Sequence, residues 1–267
     1  MPLTDDVIYY VPRMLIYFMT VNFFRLLGAL DLETVHIRAG RGEVAERAII
    51  SGDPARVELL KTYLEDPRLV SSVRGYLVYA GLYRGVPVTI AVHGIGSGSA
   101  ALVVEELAML GARVIVRLGT CGAMTPDLDV GDVVVATGAS YYAGGIFTQY
   151  IGEPVCQVAT PDFDLLRRIV AKLESRGLKY VAGPVVSCDA FYTEEGFVEK
   201  WVKRGAAAVD METAILYVLG HLKKLKTASV LVVSNSLVKP TGFKLAHELE
   251  PYVRRVAPAV LEAIVEV

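Results

Sequence analysis

Apolar and polar positions along this chain switch between two periods. Residues 47–50, 88–93, 113–118, 132–137, 180–186 and 227–234 are short runs rich in Val, Ile, Leu and Ala, apolar on both faces. Such runs predict buried strands. Residues 100–110, 163–176, 193–204, 211–220 and 246–265 instead carry their apolar positions at helical spacing,. Asp53-Pro54 opens a further helix with Arg56 in its first turns, while Ser99 caps the helix over 100–110 and Gly111 ends it,. Residues 69–83 read as a strand joined to 88–93 through Arg84-Gly85 and Pro87, and 206–209 as a short strand running straight into a helix,. Strands and helices alternate without an internal repeat or a break in composition. This predicts an α/β fold, a single-domain three-layer sandwich with a central mixed β-sheet over residues 34–267,.

Residues 7–30 depart from that pattern. They are apolar and aromatic, but Pro12, Arg13, Asn22 and Arg25 interrupt them, leaving no uncharged run of about 18 residues to span a bilayer,. The chain opens with Asp5 and Asp6 where a secretory leader has basic residues,. Residues 1–33 therefore read as an apolar N-terminal extension that packs on the body or on a neighbouring subunit. Too few basic residues lie among them to favour a membrane-surface helix.

With 267 residues, 53% of them hydrophobic and 21% charged, the chain can bury a large core,. The net charge of -2 and the absence of long like-charge runs exclude a nucleic-acid surface and a polybasic membrane patch, so the expected partner is a small molecule,. Cys121, Cys156 and Cys188 lack metal-ligand spacing and fit a reducing cytoplasm, with a Cys121–Cys188 pair left open,. His36, His93, His221 and His247 never stand at metal-ligand spacing either, so no metal is expected,.

Candidate chemistry gathers where apolar strands end. Residues 113–118 deliver Arg117 to the turn-like string Gly119-Thr120-Cys121-Gly122, whose glycines let backbone amides approach an anion closely,. Arg56 and Arg74 also stand beside glycine turns, and three such cations can converge on one phosphate dianion,. In Val209-Asp210-Met211-Glu212, the Glu212 carboxylate can accept sugar hydroxyls while Met211 packs on the sugar face,. Phe191 and Tyr192 offer a flat surface to a heterocyclic base,. Each has a plainer role open to it: Arg117 in an internal ion pair, Met211 and Phe191 in the core, and Glu212 at a helix start. Gly94-Ile95-Gly96-Ser97-Gly98 follows a strand but lacks the third glycine and downstream acid of a dinucleotide loop,. Neither a lysine-bearing phosphate loop nor a serine nucleophile elbow occurs,.

Taken in order, Gly52-Asp53-Pro54-x-Arg56, Val73-Arg74-Gly75, His93-Gly94-Ile95-Gly96, Arg117-x-Gly119-Thr120-Cys121-Gly122, Phe191-Tyr192, Val209-Asp210-Met211-Glu212 and Val233-Ser234-Asn235 resemble the nucleoside phosphorylase-I family. That family holds hexameric purine nucleoside phosphorylases, uridine phosphorylases and 5'-methylthioadenosine phosphorylases. The resemblance covers roughly residues 34–265. It implies phosphorolysis of a nucleoside to free base and (deoxy)ribose 1-phosphate, with inorganic phosphate as co-substrate and no cofactor. It further implies a homo-oligomer, typically a hexamer built as a trimer of dimers.

The resemblance assigns Gly52, Arg56, Arg117 and Thr120 to phosphate, with Arg74 reaching in from the adjacent subunit. Met211, Glu212 and Ile95 would lie at the ribose, with His36 of a neighbour at its 5' end. Cys121, Gly122, Phe191, Tyr192, Glu195, Val209, Asp210 and Asn235 would surround the base. Arg117, Glu212 and Asn235 would act in the reaction itself. One departure stands out: purine enzymes of this kind carry Asp where this chain has Asn235. An amide can donate a hydrogen bond to the leaving base but cannot transfer a proton. Uridine phosphorylases share the Asn, yet their uracil-reading Gln-x-Arg is replaced here by Glu195 and Phe197. The reading therefore favours a purine-type nucleoside, with a 6-oxopurine suited to an amide. A uridine phosphorylase, a nucleosidase and a non-catalytic nucleoside-binding protein are the alternatives.

Overall fold

The computed structural model describes residues 33–153, 155–192 and 195–267. The apolar extension predicted over 1–33 thus lies outside the described residues, apart from its last one. In order, the elements are β1 (Arg47–Ser51), α1 (Pro54–Lys61), β2 (Glu65–Ser71), β3 (Val78–Tyr83), β4 (Val86–Val92) and α2 (Gly96–Leu110). There follow β5 (Val114–Ala123), β6 (Val133–Ser140), α3 (Gly145–Ile151), α4 (Phe163–Ser175), β7 (Tyr180–Ser187) and α5 (Phe197–Val202). The chain closes with β8 (Ala208–Asp210), α6 (Thr213–Lys223), β9 (Lys226–Ser236) and α7 (Ala246–Val265).

The strands form one mixed sheet in the order β2-β3-β4-β1-β5-β8-β7-β6-β9, and β9 pairs back onto β5. Half of the sheet therefore curls into a closed ring of β5, β8, β7, β6 and β9. Strand β5 makes this possible by its length. Its first half pairs with β1, its last two residues pair with β8, and β9 runs along its other edge throughout. Side-chain alternation then separates two cores. Ala48, Ile50 and Ile115 join the layer containing α2 and α6, whereas Ile49, Val114, Val116 and Leu118 join the layer containing α1, α4 and α7. Arg117 shares the face of Ile115, so the strand aims it at the α2–α6 layer.

Three sequence expectations change. The string Gly119–Gly122 is not a turn: β5 continues through it to Ala123, because β9 supplies ladder partners along its whole length. Residues 69–83 break into β2 and β3 around a short 3-10 turn, Val73–Gly75, in which Arg74 adopts the left-handed φ of 55°. Helix α2 starts at Gly96 rather than after Ser99, whose hydroxyl instead donates to the His93 carbonyl at 2.6 Å. The helix expected over 193–204 is described only from Phe197, and α3 was not foreseen. Among the described residues, no helix is long and apolar enough to cross a membrane.

Candidate active site

The parallel strands β1, β4, β5 and β9 share one direction, and their carboxyl ends bring four loops to the same edge,. Gly52 follows β1 and Gly94 follows β4. A side-chain carbon on Gly52 would come within 2.8 Å of the Gly94 carbonyl and 3.3 Å of the His93 ring, so only glycine lets these loops touch. Asp53 caps α1 by accepting from the Ala55 amide at 2.7 Å, and Pro54 fixes the first turn,. That turn carries Arg56 back under the loop. Its guanidinium donates to Ser51 Oγ at 2.8 Å, and Ser51 Oγ in turn donates to the Leu118 carbonyl of β5 at 2.9 Å.

Arg117 lies across Gly119 of its own strand, where any side chain would collide with the guanidinium. It is paired with two carboxylates from the junction of β8 and α6: Asp210 Oδ2 at 3.1 Å and Glu212 Oε2 in direct contact with Nη2. Burial opposes the Arg117 charge, but Glu212 and Asp210 outweigh it and hold its pKa above the ordinary value. Arg56 has less compensation. Burial, with opposition from Asp53 and support from the charge of Arg117, lowers its pKa to about 10. At neutral pH both guanidiniums are charged and Arg117 acts unfavourably on Arg56, while Asp210 and Glu212 balance the charge of Arg117.

Beneath them sits His93, wholly buried, with neither ring nitrogen hydrogen-bonded among the described residues. Burial and the charges of Arg117 and Arg56 push its pKa well below 6.5, so the ring is neutral. Glu212 is raised instead, first by burial and further by Asp210, against the pull of Arg117. Its second oxygen accepts from the Gly96 amide at the start of α2 at 2.7 Å.

Asp210, expected to line a base pocket, is a framework residue. Its side chain is fully buried and accepts from Ser187 Oγ, Thr213 N and Thr213 Oγ1 besides pairing with Arg117. All its acceptor positions face protein, which holds the β8–α6 junction and the Arg117 fork in one geometry. The other base-side residues come together through strand register. Gly122 pairs with Val209 on one side and with Asn235 on the other. Between Cys121 and Gly122 the register slips, leaving Ser234 as an extra residue whose hydroxyl lies 3.0 Å from both the Cys121 carbonyl and Asn235 Oδ1. That bulge re-aims β9 so that Asn235 stands half-buried at the edge of the ring,. Cys121 is buried, its thiol pushed up by burial and by Asp210, and all three cysteines are free. Thr120 is half-buried beside them.

The remaining candidates are exposed or half-buried. Ile95 is 75% exposed, Phe191 57% and Tyr192 88%. Glu195 is exposed, and Met211 is half-buried with its carbonyl held by Ser97 Oγ at 3.2 Å. Phe191 packs edge-on against Tyr192 and Phe243, at centroid distances of 5.1 and 6.3 Å. His36 is held at a distance from Glu212, and Arg74 lies on the surface. The His36 Nδ1 atom meets Glu106 Oε1 at 2.6 Å, and Glu106 also accepts from the Ile37 amide at 2.7 Å. Glu106 lies ten residues along α2 from Gly96, about 15 Å of helix from the end that holds Glu212,. Arg74 is exposed and lines a concavity with Glu33, Thr34, Val35, Arg38 and Val73.

Comparison with known proteins decides the family. The model of the Phosphorylase superfamily matches residues 46–266. The chain belongs to that superfamily. It is 39% identical over 204 residues to a guanosine phosphorylase of Halorubrum lacusprofundi, covering 76% of this chain and 83% of that one. It is 37% identical over 207 residues to a DeoD-type purine nucleoside phosphorylase of Geobacillus kaustophilus, covering 77% and 87%. A solved uridine phosphorylase from Vibrio fischeri superposes with a TM-score of 0.78 at 29% identity, over 88% of this chain and 98% of that one.

Within this superfamily fold, sequence reasoning did not single out Ser51, Ser97, Glu106 or Asp189, and gave His93 no role beyond its place in the motif His93-Gly94-Ile95-Gly96. Their signal is weak because each acts through hydrogen bonds to residues more than 60 positions away, or, for His93, through having none. No cluster of His, Cys, Asp and Glu suited to a metal occurs among the described residues.

Proposed function

We propose that this chain is a purine nucleoside phosphorylase acting on 6-oxopurine nucleosides such as guanosine. It transfers the pentosyl group from the base to inorganic phosphate. The observation that carries this reading is the pair of buried arginines, Arg56 bonded to Ser51 Oγ and Arg117 lying over Gly119 with Glu212 bonded to its guanidinium. A dianion held between the arginines lies beside the group that takes the ribose hydroxyls.

In this reading Gly52, Arg56, Arg117 and Thr120 hold phosphate, and Glu212 and Met211 hold the sugar, with Ile95 near it. A phosphate oxygen attacks C1', the C1'–N9 bond breaks, and its electron pair leaves with the base. Charge accumulates on the purine as the sugar becomes oxocarbenium-like, and the phosphate dianion stabilises that sugar. Asn235 donates its amide N–H towards N7 and O6 of the departing base and moves no proton. A 6-oxopurine can carry the charge on its oxygen, whereas a 6-aminopurine leaves poorly without an acid. The 39% identical guanosine phosphorylase supports this choice. Cys121, Gly122, Val209, Phe191, Tyr192 and Glu195 surround the base, with Asp210 behind them. No cofactor takes part.

His36 is bonded to Glu106, ten residues along α2 from the end that holds Glu212, and Arg74 is exposed; both facts support a site shared with a neighbouring copy. The assembly we propose is a hexamer made as a trimer of dimers, with residues 1–33 packed on the body or a neighbour. Three free thiols suit the cytoplasm,.

A uridine phosphorylase is the second reading, favoured by Asn235 and by the Vibrio fischeri structure. A panel of guanosine, inosine, adenosine, methylthioadenosine and uridine, each with and without phosphate, tests both. Turnover of guanosine and inosine that requires phosphate is the expected result. Preference for uridine overturns the substrate assignment, turnover without phosphate indicates a nucleosidase, and no turnover indicates a binding protein.

A further inference from the structure

Helix α2 begins on two neighbouring amides, and each is taken by a carboxylate from a different loop. Glu212 Oε1 accepts from Gly96 N at 2.7 Å, and Asp189 Oδ1 accepts from Ser97 N at 2.7 Å. Ser97 is buried, and its hydroxyl donates to the Met211 carbonyl at 3.2 Å. One residue of α2 thus holds the loop after β7 by its amide and the loop after β8 by its hydroxyl. Gly96 supplies the space: it has a φ of 84°, and a side-chain carbon there would lie 3.2 Å from Asp189 Oδ1.

The loop after β7 has little else to fix it. Cys188 N donates to the Asp210 carbonyl at 2.9 Å, but among the described residues no backbone amide of 189–192 bonds to backbone outside its own turn. Phe191 and Tyr192 are mostly exposed and lean on Phe243 and on each other. The carboxylate of Asp189, two residues before Phe191, is therefore the tether that sets the aromatic surface relative to Glu212.

We infer that Asp189 is a positioning residue that locks the base-stacking loop to the sugar-binding glutamate through Ser97. It touches neither substrate. This rests on the phosphorylase reading for its consequence, while the tether itself is a property of the fold. Without it, Phe191 loses its fixed distance from Glu212, and a nucleoside that must engage both binds less well. Phosphate, held by Arg56 of α1 and Arg117 of β5, is unaffected.

The test compares Asp189→Ala with Asp189→Asn, which keeps an acceptor for the Ser97 amide. On the scale of lost helix caps, about 1 kcal/mol and at most about 2, Asp189→Ala raises the nucleoside KM about fivefold to thirtyfold. The phosphate KM stays within about twofold, and Asp189→Asn restores most of the nucleoside affinity. A parallel rise in both KM values, no rise in either, or failure of Asn to rescue overturns the inference. Amide hydrogen exchange separates this outcome from the fate of the phosphorylase reading. Faster exchange of 95–99 and 188–192 in Asp189→Ala supports the tether, and unchanged exchange overturns it, whatever the wild-type chain turns over.

Discussion

Arg117 and Glu212 are bonded to each other, Nη2 to Oε2, with both side chains about 95% buried. The two groups proposed for phosphate and for the sugar thus neutralise one another in the chain by itself. Such a pair contributes little net stability when intact, because desolvating both charges offsets most of their attraction. Breaking it is another matter. Arg117 also balances Asp210, so its removal strands two buried carboxylates at once.

Arg117→Ala should therefore cost both stability and phosphate use. Leaving buried charge unpaired destabilises by about 3–5 kcal/mol, to be read from urea unfolding. Losing a charge-assisted bond to phosphate, about 1.5–3 kcal/mol, raises the phosphate KM roughly tenfold to 150-fold. Arg117→Lys keeps the charge without the planar fork and should fall between. An unchanged phosphate KM in the alanine variant would remove Arg117 from the anion site.

Gly119→Ala tests the same geometry without removing a charge. The new methyl collides with a guanidinium that Asp210 and Glu212 prevent from moving aside. Displacement of about 1 Å at such a site costs about 10²-fold in rate. Phosphorolysis should fall by that order while the far-ultraviolet spectrum stays that of the wild type. Full activity in this variant would mean that Arg117 does not need its present position.

His93 supplies a pH prediction. Its folded pKa is well below 6.5 through burial and the charges of Arg117 and Arg56, while unfolded histidine titrates near 6.5,. Below that pH the unfolded chain binds a proton that the folded chain refuses. The stability His93 contributes is thus present above pH 6.5 and declines as pH falls towards its folded pKa. In His93→Gln, the loss of stability between pH 6.5 and 5 should be shallower than in the wild type. Parallel curves would show that His93 is not the group responsible.

Much of this architecture was legible from the chain alone. The β-branched runs at 47–50 and 227–234 have no polar face to confuse them, and both are strands of the central sheet. What differed depended on partners that local composition does not name, several of them far away in sequence. Gly119-Thr120-Cys121-Gly122 looks like a turn, because local composition cannot reveal that β9 pairs with every residue of it. The family resemblance places Asp210 at the base, and no local signal shows that Ser187 and Arg117, distant along the chain, engage its carboxylate in the folded state. Pro54 marks a helix start by itself, and α1 begins there with Arg56 in its first turns. Strand and cap rules see short range; the ring closure and the buried charge cluster are long-range facts.

Asn235 offers the sharpest chemical prediction. It sits across the ladder from Gly122, half-buried, with its side-chain amide beside Ser234 Oγ at 3.0 Å. An amide stabilises negative charge on a departing 6-oxopurine, but an adenine leaving group needs a proton. Asn235→Asp puts a carboxyl group of nearly the same shape in that place. General acid catalysis contributes about 10²–10⁴-fold where the proton is well aimed, so the adenosine-to-guanosine ratio of kcat/KM should rise by at least about tenfold. Because the acid works only when protonated, the gain on adenosine should shrink as pH rises, whereas guanosine turnover should not follow that trend. A variant whose ratio and pH profile match the wild type would show that position 235 does not face the leaving group.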